Sequence, residues 1–252
     1  MAVTKITGSV RTSTAGTSNF IAGVNAGVNI ASGGNYNVAV GDEAGNDLTT
    51  GDSNTLVGYA AGDAITTVSN LTAVGRNALT ANTTGTGNTG LGYQAGAAIT
   101  TGANNTAVGL DAGVALTTAD GNTLIGATAG DALTTGASNT AVGHDALSTA
   151  TTGNENVAIG RYALQDLTTA TNCTAVGYNA GKDITTGNNN TCFGEIAGGE
   201  ITTATDCTFI GQAAGDSVTT GSNNTSVGGA SFRTATTAAN NAIMGYGAGG
   251  AI

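Results

Sequence analysis

The chain has 252 residues, a formal net charge of −10 and only six basic residues, which argues against nucleic-acid binding. Aromatic residues are scarce, tryptophan and proline are absent, and the 42 glycines recur periodically. Periodic glycine indicates turns in a repeat array and not a disordered tract. Residues 1–14 contain no apolar core segment, so the sequence predicts neither a signal peptide nor a membrane span.

The first eighteen residues stand outside the repeat. Residues 3–7 and 9–12 alternate in polarity as strands do, so residues 1–18 are predicted to form an N-terminal cap or attachment arm. A degenerate first coil follows from residue 19. Its marker glycine, Gly23, lies eighteen residues before Gly41, which predicts one inserted residue near Gly33.

A seventeen-residue unit then repeats to the end of the chain, as in Asn105-Thr-Ala-Val-Gly-Leu-Asp-Ala-Gly-Val-Ala-Leu-Thr-Thr-Ala-Asp-Gly121. We number coil positions from the glycine that follows the short apolar run, which is position 0. This glycine occurs at Gly41, Gly58, Gly75, Gly92, Gly109, Gly126, Gly143, Gly160, Gly177, Gly194, Gly211, Gly228 and Gly245. A short fixed period predicts a solenoid, here a repeat domain over residues 19–252.

The composition of the unit favours strands over helices. It is rich in Gly, Thr and Asn and lacks apolar spacing at three and four residues. We predict two strands per coil, Asn-Thr-Ala-Val at positions −4 to −1 and Leu-Thr-Thr at +7 to +9. The predicted fold is therefore all-β, a parallel β-solenoid with 17-residue coils stacked about 4.8 Å apart.

Positions −1 and −2 both tend to be apolar, although neighbouring strand residues face opposite sides. One side can be the interior of the solenoid, and the other is then predicted to contact a neighbouring chain. We therefore expect an oligomer in which Val108, Val142 and Val176 at position −1 are shielded from water.

Side-chain volumes compensate between positions +4 and +7. Position +4 is normally Gly, and where it is large the usual Leu or Ile at +7 shrinks or becomes polar, except in the coil with Leu164 and Leu167. The compensating pairs are Leu79 with Asn82, Leu147 with Ala150 and Phe232 with Ala235. This pattern predicts that the two positions share one space in a packed interior.

No residue pattern supports catalysis, so the sequence predicts a protein that is not an enzyme, with no catalytic, cofactor-binding or metal-binding residues. His144, the only histidine, lies beside Asp145 with no nucleophile in its register. Cys173 and Cys207 replace the usual Asn two coils apart, about 9–10 Å, which is too far for a disulfide. We interpret these two and Cys192 as structural, buried thiols.

Two repeated features allow alternative interpretations. The acidic residues cluster at turn positions, where they form either a solvated rim or sites for divalent cations. The Thr-Thr pair at +8 and +9 either joins neighbouring coils through its hydroxyls or presents a flat ice-binding array.

The segments Asn105-Thr-Ala-Val-Gly-Leu-Asp-Ala-Gly and Asn139-Thr-Ala-Val-Gly-His-Asp-Ala resemble the head repeats of trimeric autotransporter adhesins. They are also similar to repeats of bacteriophage tail-fibre and other virion-fibre proteins. The resemblance covers residues 37–252, with a longer coil than in those heads. It implies a left-handed parallel β-roll, three chains side by side, and a role in surface attachment.

These observations together predict a structural fibre protein of a virion or an extracellular surface, a homotrimer that mediates projection or attachment to a host. No neck, stalk or membrane anchor is recognisable, which favours the virion fibre. An ice-binding solenoid and a subunit of a head-to-tail extracellular filament are the alternatives, the latter because no charged capping unit follows the last coil.

Overall fold

The computed structural model describes residues 10–11 and 15–250, so the predicted strand at residues 3–7 lies outside the described residues. No helix in this part of the chain is long and apolar enough to cross a bilayer. The regular elements are short strands: β1 Val10–Arg11, β2 Phe20–Ala22, β3 Val38–Val40, β4 Thr55–Val57, β5 Thr72–Val74, β6 Thr89–Leu91, β7 Thr106–Val108, β8 Thr123–Ile125, β9 Thr140–Val142, β10 Val157–Ile159, β11 Thr174–Val176, β12 Thr191–Phe193, β13 Thr208–Ile210, β14 Thr225–Val227 and β15 Ala242–Met244.

The chain divides into two compact units, residues 1–119 and 120–252. In the first unit, β2 to β7 stack as parallel neighbours, and β1 pairs antiparallel with β2. In the second unit, β8 to β15 stack in the same parallel manner. Each strand residue pairs with the residue seventeen positions on, as Ala141 does with Ala158. The all-β parallel solenoid with 17-residue coils is therefore confirmed.

The step from β2 to β3 is one residue longer than the others. Ile21 pairs with Ala39, an offset of eighteen, so the inserted residue predicted between these strands is confirmed. The backbone φ of Gly33 is 112°, a conformation that suits glycine best.

Left-handed backbone conformations turn each coil after its strand. They recur at positions −5, 0, +2 and +4 of the repeat. Position 0 tolerates only glycine, because a Cβ on Gly58 (φ 134°) would lie 2.5 Å from the carbonyl oxygen of Gly75 in the next coil. The glycine that marks the repeat is thus required by the close approach of stacked backbones.

The predicted second strand at Leu-Thr-Thr is wrong for the described coils, where the Thr pair forms a bend. The N–H groups of Thr49 and Thr50 both donate to the carbonyl oxygen of Thr66, at 2.8 and 3.3 Å. Consecutive N–H groups of an extended strand point to opposite sides and cannot share one acceptor. The coil therefore contains one strand, and its other inter-coil hydrogen bonds come from turns and bends.

The interior is filled from positions −2, +3, +4 and +7. Leu79 and Asn82, which replace the usual Gly and Leu, are both fully buried. In the next coil, a Cβ on Gly96 would come within 2.9 Å of both Leu79 Cδ2 and Ile99 Cδ1. The predicted sharing of space between positions +4 and +7 agrees with this packing.

Candidate interaction surface

The strand residues divide between the two faces of the sheet. Leu124 at position −2 is fully buried, whereas its neighbour Ile125 at position −1 is 39% exposed. In the single chain Val108, Val142 and Val176 are all part-exposed, so their expected shielding in an oligomer stays a prediction. The reason is geometric: the position −2 side chains already fill the interior, so position −1 must point outward.

Position −1 forms what we call the outer apolar column. Its exposure reaches 54% at Phe193 and 81% at Met244. Rungs about 4.8 Å apart leave no room for polar side chains between successive members within a unit. Contiguous exposed apolar surface of this kind marks an interaction site. The members are Val40, Val57, Val74, Leu91 and Val108 in the first unit, and Ile125, Val142, Ile159, Val176, Phe193, Ile210, Val227 and Met244 in the second.

Aromatic and arginine side chains at position +1 lie beside this column in the first unit. The guanidinium carbon of Arg76 is 5.7 Å from the ring centroid of Tyr59 and 5.9 Å from that of Tyr93. Hydrogen bonding to the nearby Glu43 carboxylate raises the pKa of Tyr59. The result is an exposed stack in which one guanidinium lies between two tyrosines of adjacent coils.

A similar cluster occurs in the second unit. Arg161 lies 4.5 Å above the ring centroid of Tyr162, and its Nη2 donates to the Tyr162 hydroxyl at 2.6 Å. The Tyr162 ring also packs edge-on against His144 and Tyr178, with centroid separations of 6.0 and 6.1 Å. His144 Nδ1 is 2.7 Å from Asp145 Oδ2. His144, the only histidine of the sequence, therefore belongs to an exposed aromatic cluster.

A ladder of buried asparagines at position −4 supports the strand from inside. The backbone N–H and Nδ2 of Asn139 donate to Asn122 Oδ1 at 2.9 and 3.1 Å, and Nδ2 also donates to the Gly153 carbonyl at 2.9 Å. Asn156 repeats the pattern on Asn139. The buried members are Asn19, Asn37, Asn54, Asn88, Asn105, Asn122, Asn139, Asn156, Asn190 and Asn224.

Sequence reasoning identified this asparagine position but not its burial. The available signal was a polar residue that recurs at one register directly before an apolar strand. An asparagine that recurs at this position is expected to hydrogen-bond to the equivalent asparagine of the next coil, because burying an amide without hydrogen-bond partners destabilises the fold.

The cysteines occupy interior positions, as the sequence predicted. Cys173 and Cys207 replace ladder asparagines, and their thiols donate to the carbonyls of Gly187 and Gly221 at 3.3 and 3.4 Å. All three cysteines are free and buried, and burial raises the pKa of each thiol. A high thiol pKa and burial make these groups unreactive.

Asp63 is an acidic turn residue with other carboxylates nearby. Burial raises its pKa, and the carboxylates of Asp47 and Glu43 raise it further. The described residues bring together no group of three acidic, His or Cys side chains in an arrangement that could hold a metal ion.

The threonine pairs divide their roles. Thr49 donates its hydroxyl to the carbonyl of Thr66 at 2.9 Å, and Thr134 bonds to Thr151 in the same way. The second threonine of each pair is exposed. The first threonine thus bonds along the stack, and Leu or Ile at +7 fills the interior.

No family model, curated protein or solved structure matches this chain. The resemblance to adhesin heads and virion fibres therefore stays a prediction from the repeat.

Proposed function

We propose that this protein is a non-enzymatic structural fibre protein of a virion or an extracellular surface. Its outer apolar column would pack against further copies of the chain, and its turns would remain free for attachment. The observation that carries the proposal is the column itself, an aliphatic or aromatic side chain in the same exposed register of nearly every coil.

The energetic argument starts from the thin interior. Position −2 is most often alanine, which buries little apolar area, while the larger side chains of position −1 remain outside. Fully burying one Val, Leu, Ile or Phe side chain contributes about 1.5–3 kcal/mol. Association along the column would therefore add the apolar burial that a single chain lacks. The number of copies, three, comes from the resemblance.

Sedimentation of the full chain tests this proposal. We expect a mass of three chains of 24.1 kDa each. The variant Phe193→Ser/Ile210→Ser should dissociate at a higher protein concentration than the wild type, because the loss of two outer apolar side chains weakens association. The matched control Thr203→Ser/Thr220→Ser, in exposed threonines of the same two coils, should leave the mass unchanged.

A wild-type chain that stays monomeric at all concentrations contradicts the proposal. A mass that grows without limit as concentration rises would instead support the filament alternative. Far-UV circular dichroism of each variant checks that the β-solenoid is retained.

The exposed column of second threonines supports a second candidate, ice binding. Hydroxyls and methyl groups repeat there with the rise of the coils, for example at Thr169 and Thr186. Thermal hysteresis of the wild type at micromolar concentration, lost in Thr169→Lys/Thr186→Lys, would favour this function. Absence of hysteresis in the wild type would eliminate it.

A further inference from the structure

Two arginines differ from the other cations whose side chains the structure describes. Lys182 lies 2.9 Å from Asp183 and 3.6 Å from Asp166, and Arg233 lies 3.3 Å from Asp216. Among the described residues, Arg76 and Arg161 form no such ion pair and contact aromatic rings instead. In a chain with 16 acidic residues, two arginines without an ion pair require an explanation.

Both arginines occupy position +1, beside the outer apolar column. Tyr59 and Tyr93, on either side of Arg76, are 47% and 41% exposed. Tyr178, in the cluster with Arg161, is 45% exposed. Each cluster therefore presents a guanidinium together with accessible aromatic surface.

We propose that each cluster binds the carboxylate of a sugar acid, such as a sialic or uronic acid, carried by an otherwise neutral glycan. A guanidinium matches a carboxylate through two parallel N–H···O hydrogen bonds. The flanking tyrosine rings offer flat apolar surface to the C–H face of a sugar ring and a hydroxyl to its polar edge. This inference goes beyond the proposed fibre role by naming a ligand class.

Net charge selects among anionic ligands. A chain of charge −10 repels a polyanion such as a nucleic acid, which places a phosphate at every step. A single carboxylate on a neutral oligosaccharide avoids most of this repulsion. The clusters contain one arginine each, which suits one acidic group.

A second copy of the chain is a poor source of that carboxylate. The sequence contains no acidic residue between Asp63 and Asp111. A copy aligned coil by coil would therefore bring only uncharged or basic side chains to the level of Arg76. The anion that completes this cluster is better supplied by another molecule.

The described part of the chain encloses no pocket, so these clusters are open surface sites. Open sites bury little of their ligand, and we expect dissociation constants on the order of 1 mM for each cluster. Saturation-transfer NMR detects binding of this strength.

The test titrates the full chain with 3′-sialyllactose and, as its neutral counterpart, lactose. We expect transfer to the sialic acid protons and at least about tenfold weaker binding of lactose. Arg76→Gln/Arg161→Gln should weaken sialyllactose binding by at least about tenfold, and Arg76→Lys/Arg161→Lys should restore it only in part. The control Arg233→Gln removes one equal charge from a paired site and should bind as the wild type does.

Equal binding of the two saccharides, an equal loss in Arg233→Gln, or no binding up to about 20 mM would each overturn the proposal. Binding of a glutamate-rich peptide in preference to sialyllactose would also overturn it, in favour of a protein partner. Sedimentation of the ligand-free chain tests the fibre proposal separately, so failure of one proposal is distinguishable from failure of the other.

Discussion

The two sides of each short strand are both apolar but have different surroundings. Leu124 is fully buried, whereas Ile125, the next residue, is 39% exposed. The difference separates two tasks that the repeat assigns to neighbouring positions. The inner side chain holds the coils of one chain together, and the outer side chain is available to another molecule.

The largest expected effect comes from truncating each side of the same strand. Leu124→Ala should lower the free energy of unfolding by about 2–5 kcal/mol, because it removes buried volume from a packed interior. Ile125→Ala should cost less than about 1 kcal/mol in the single chain. Urea denaturation in the Phe193→Ser/Ile210→Ser background measures both without the contribution of association. Equal losses of unfolding free energy in the two variants would contradict the distinction between an inner and an outer face.

The asparagine ladder extends the comparison to polar groups on the inner side. Asn139→Ala should cost about 2–4 kcal/mol, since it leaves the Asn156 N–H and the Gly153 carbonyl buried without partners. The exposed control Thr135→Ala should change stability by less than about 0.5 kcal/mol. A loss for Asn139→Ala no larger than the control's would contradict the structural role of the ladder.

Restoring an asparagine to the ladder should stabilise the chain. Cys173 donates to Gly187 through a weak thiol hydrogen bond, and Cys173→Asn would replace it with amide bonds to Gly187 and Asn156. We expect stabilisation by about 1 kcal/mol in urea denaturation. A destabilised variant would show that the smaller thiol is needed for packing at this rung.

Asn82 is a polar residue whose side chain forms no hydrogen bonds in the interior. Its side chain is fully buried at position +7, and neither its Nδ2 nor its Oδ1 has a hydrogen-bond partner. Asn82→Ala should stabilise the chain by about 1 kcal/mol, because it removes this desolvation cost. Alanine already occupies the same register at Ala150 and Ala235. Thermal unfolding measures the gain, and a lower melting temperature than the wild type would contradict it.

The smallest expected effect concerns the backbone outside the strand. Ile196 adopts φ 59°, a left-handed conformation that a β-branched residue adopts only with strain. Ile196→Asn should stabilise by about 0.5–1 kcal/mol, because asparagine tolerates this region. The mirror variant Asn179→Ile, in the same register, should destabilise by a similar amount. Destabilisation by Ile196→Asn, or stabilisation by Asn179→Ile, would contradict the assignment of strain.

The solenoid could be predicted because its period is visible in a single residue type. Glycine at position 0 is imposed by backbone contact between coils, as at Gly58 and Gly75, so it recurs in every copy. The Thr-Thr strand could not be excluded from sequence, because β-branched residues also suit a bend whose N–H groups share one carbonyl. Local propensity does not reveal which acceptor those groups reach.

The candidate site was predictable only in part. Two apolar neighbours in a strand correctly suggested two environments, but the sequence did not indicate that alanine at −2 faced inward and Val108 outward. Apart from the contact of Arg161 with its sequence neighbour Tyr162, the clusters around Arg76 and Arg161 depend on contacts between residues of adjacent coils. Such contacts follow from the period once the register is known, and the aromatic side chains at position +1 were the available signal.

Hydroxyl-radical footprinting of the native protein tests the central claim most directly. In the single chain Phe193 and Met244 of the outer apolar column are at least as exposed as Tyr178 at position +1. If copies of the chain cover the column, oxidation of Phe193 and Met244 will be much slower in concentrated protein than in protein diluted until it dissociates. Tyr178 will be oxidised at a similar rate in both samples. Oxidation of Phe193 and Met244 at the same rate in concentrated and dilute protein would contradict the account.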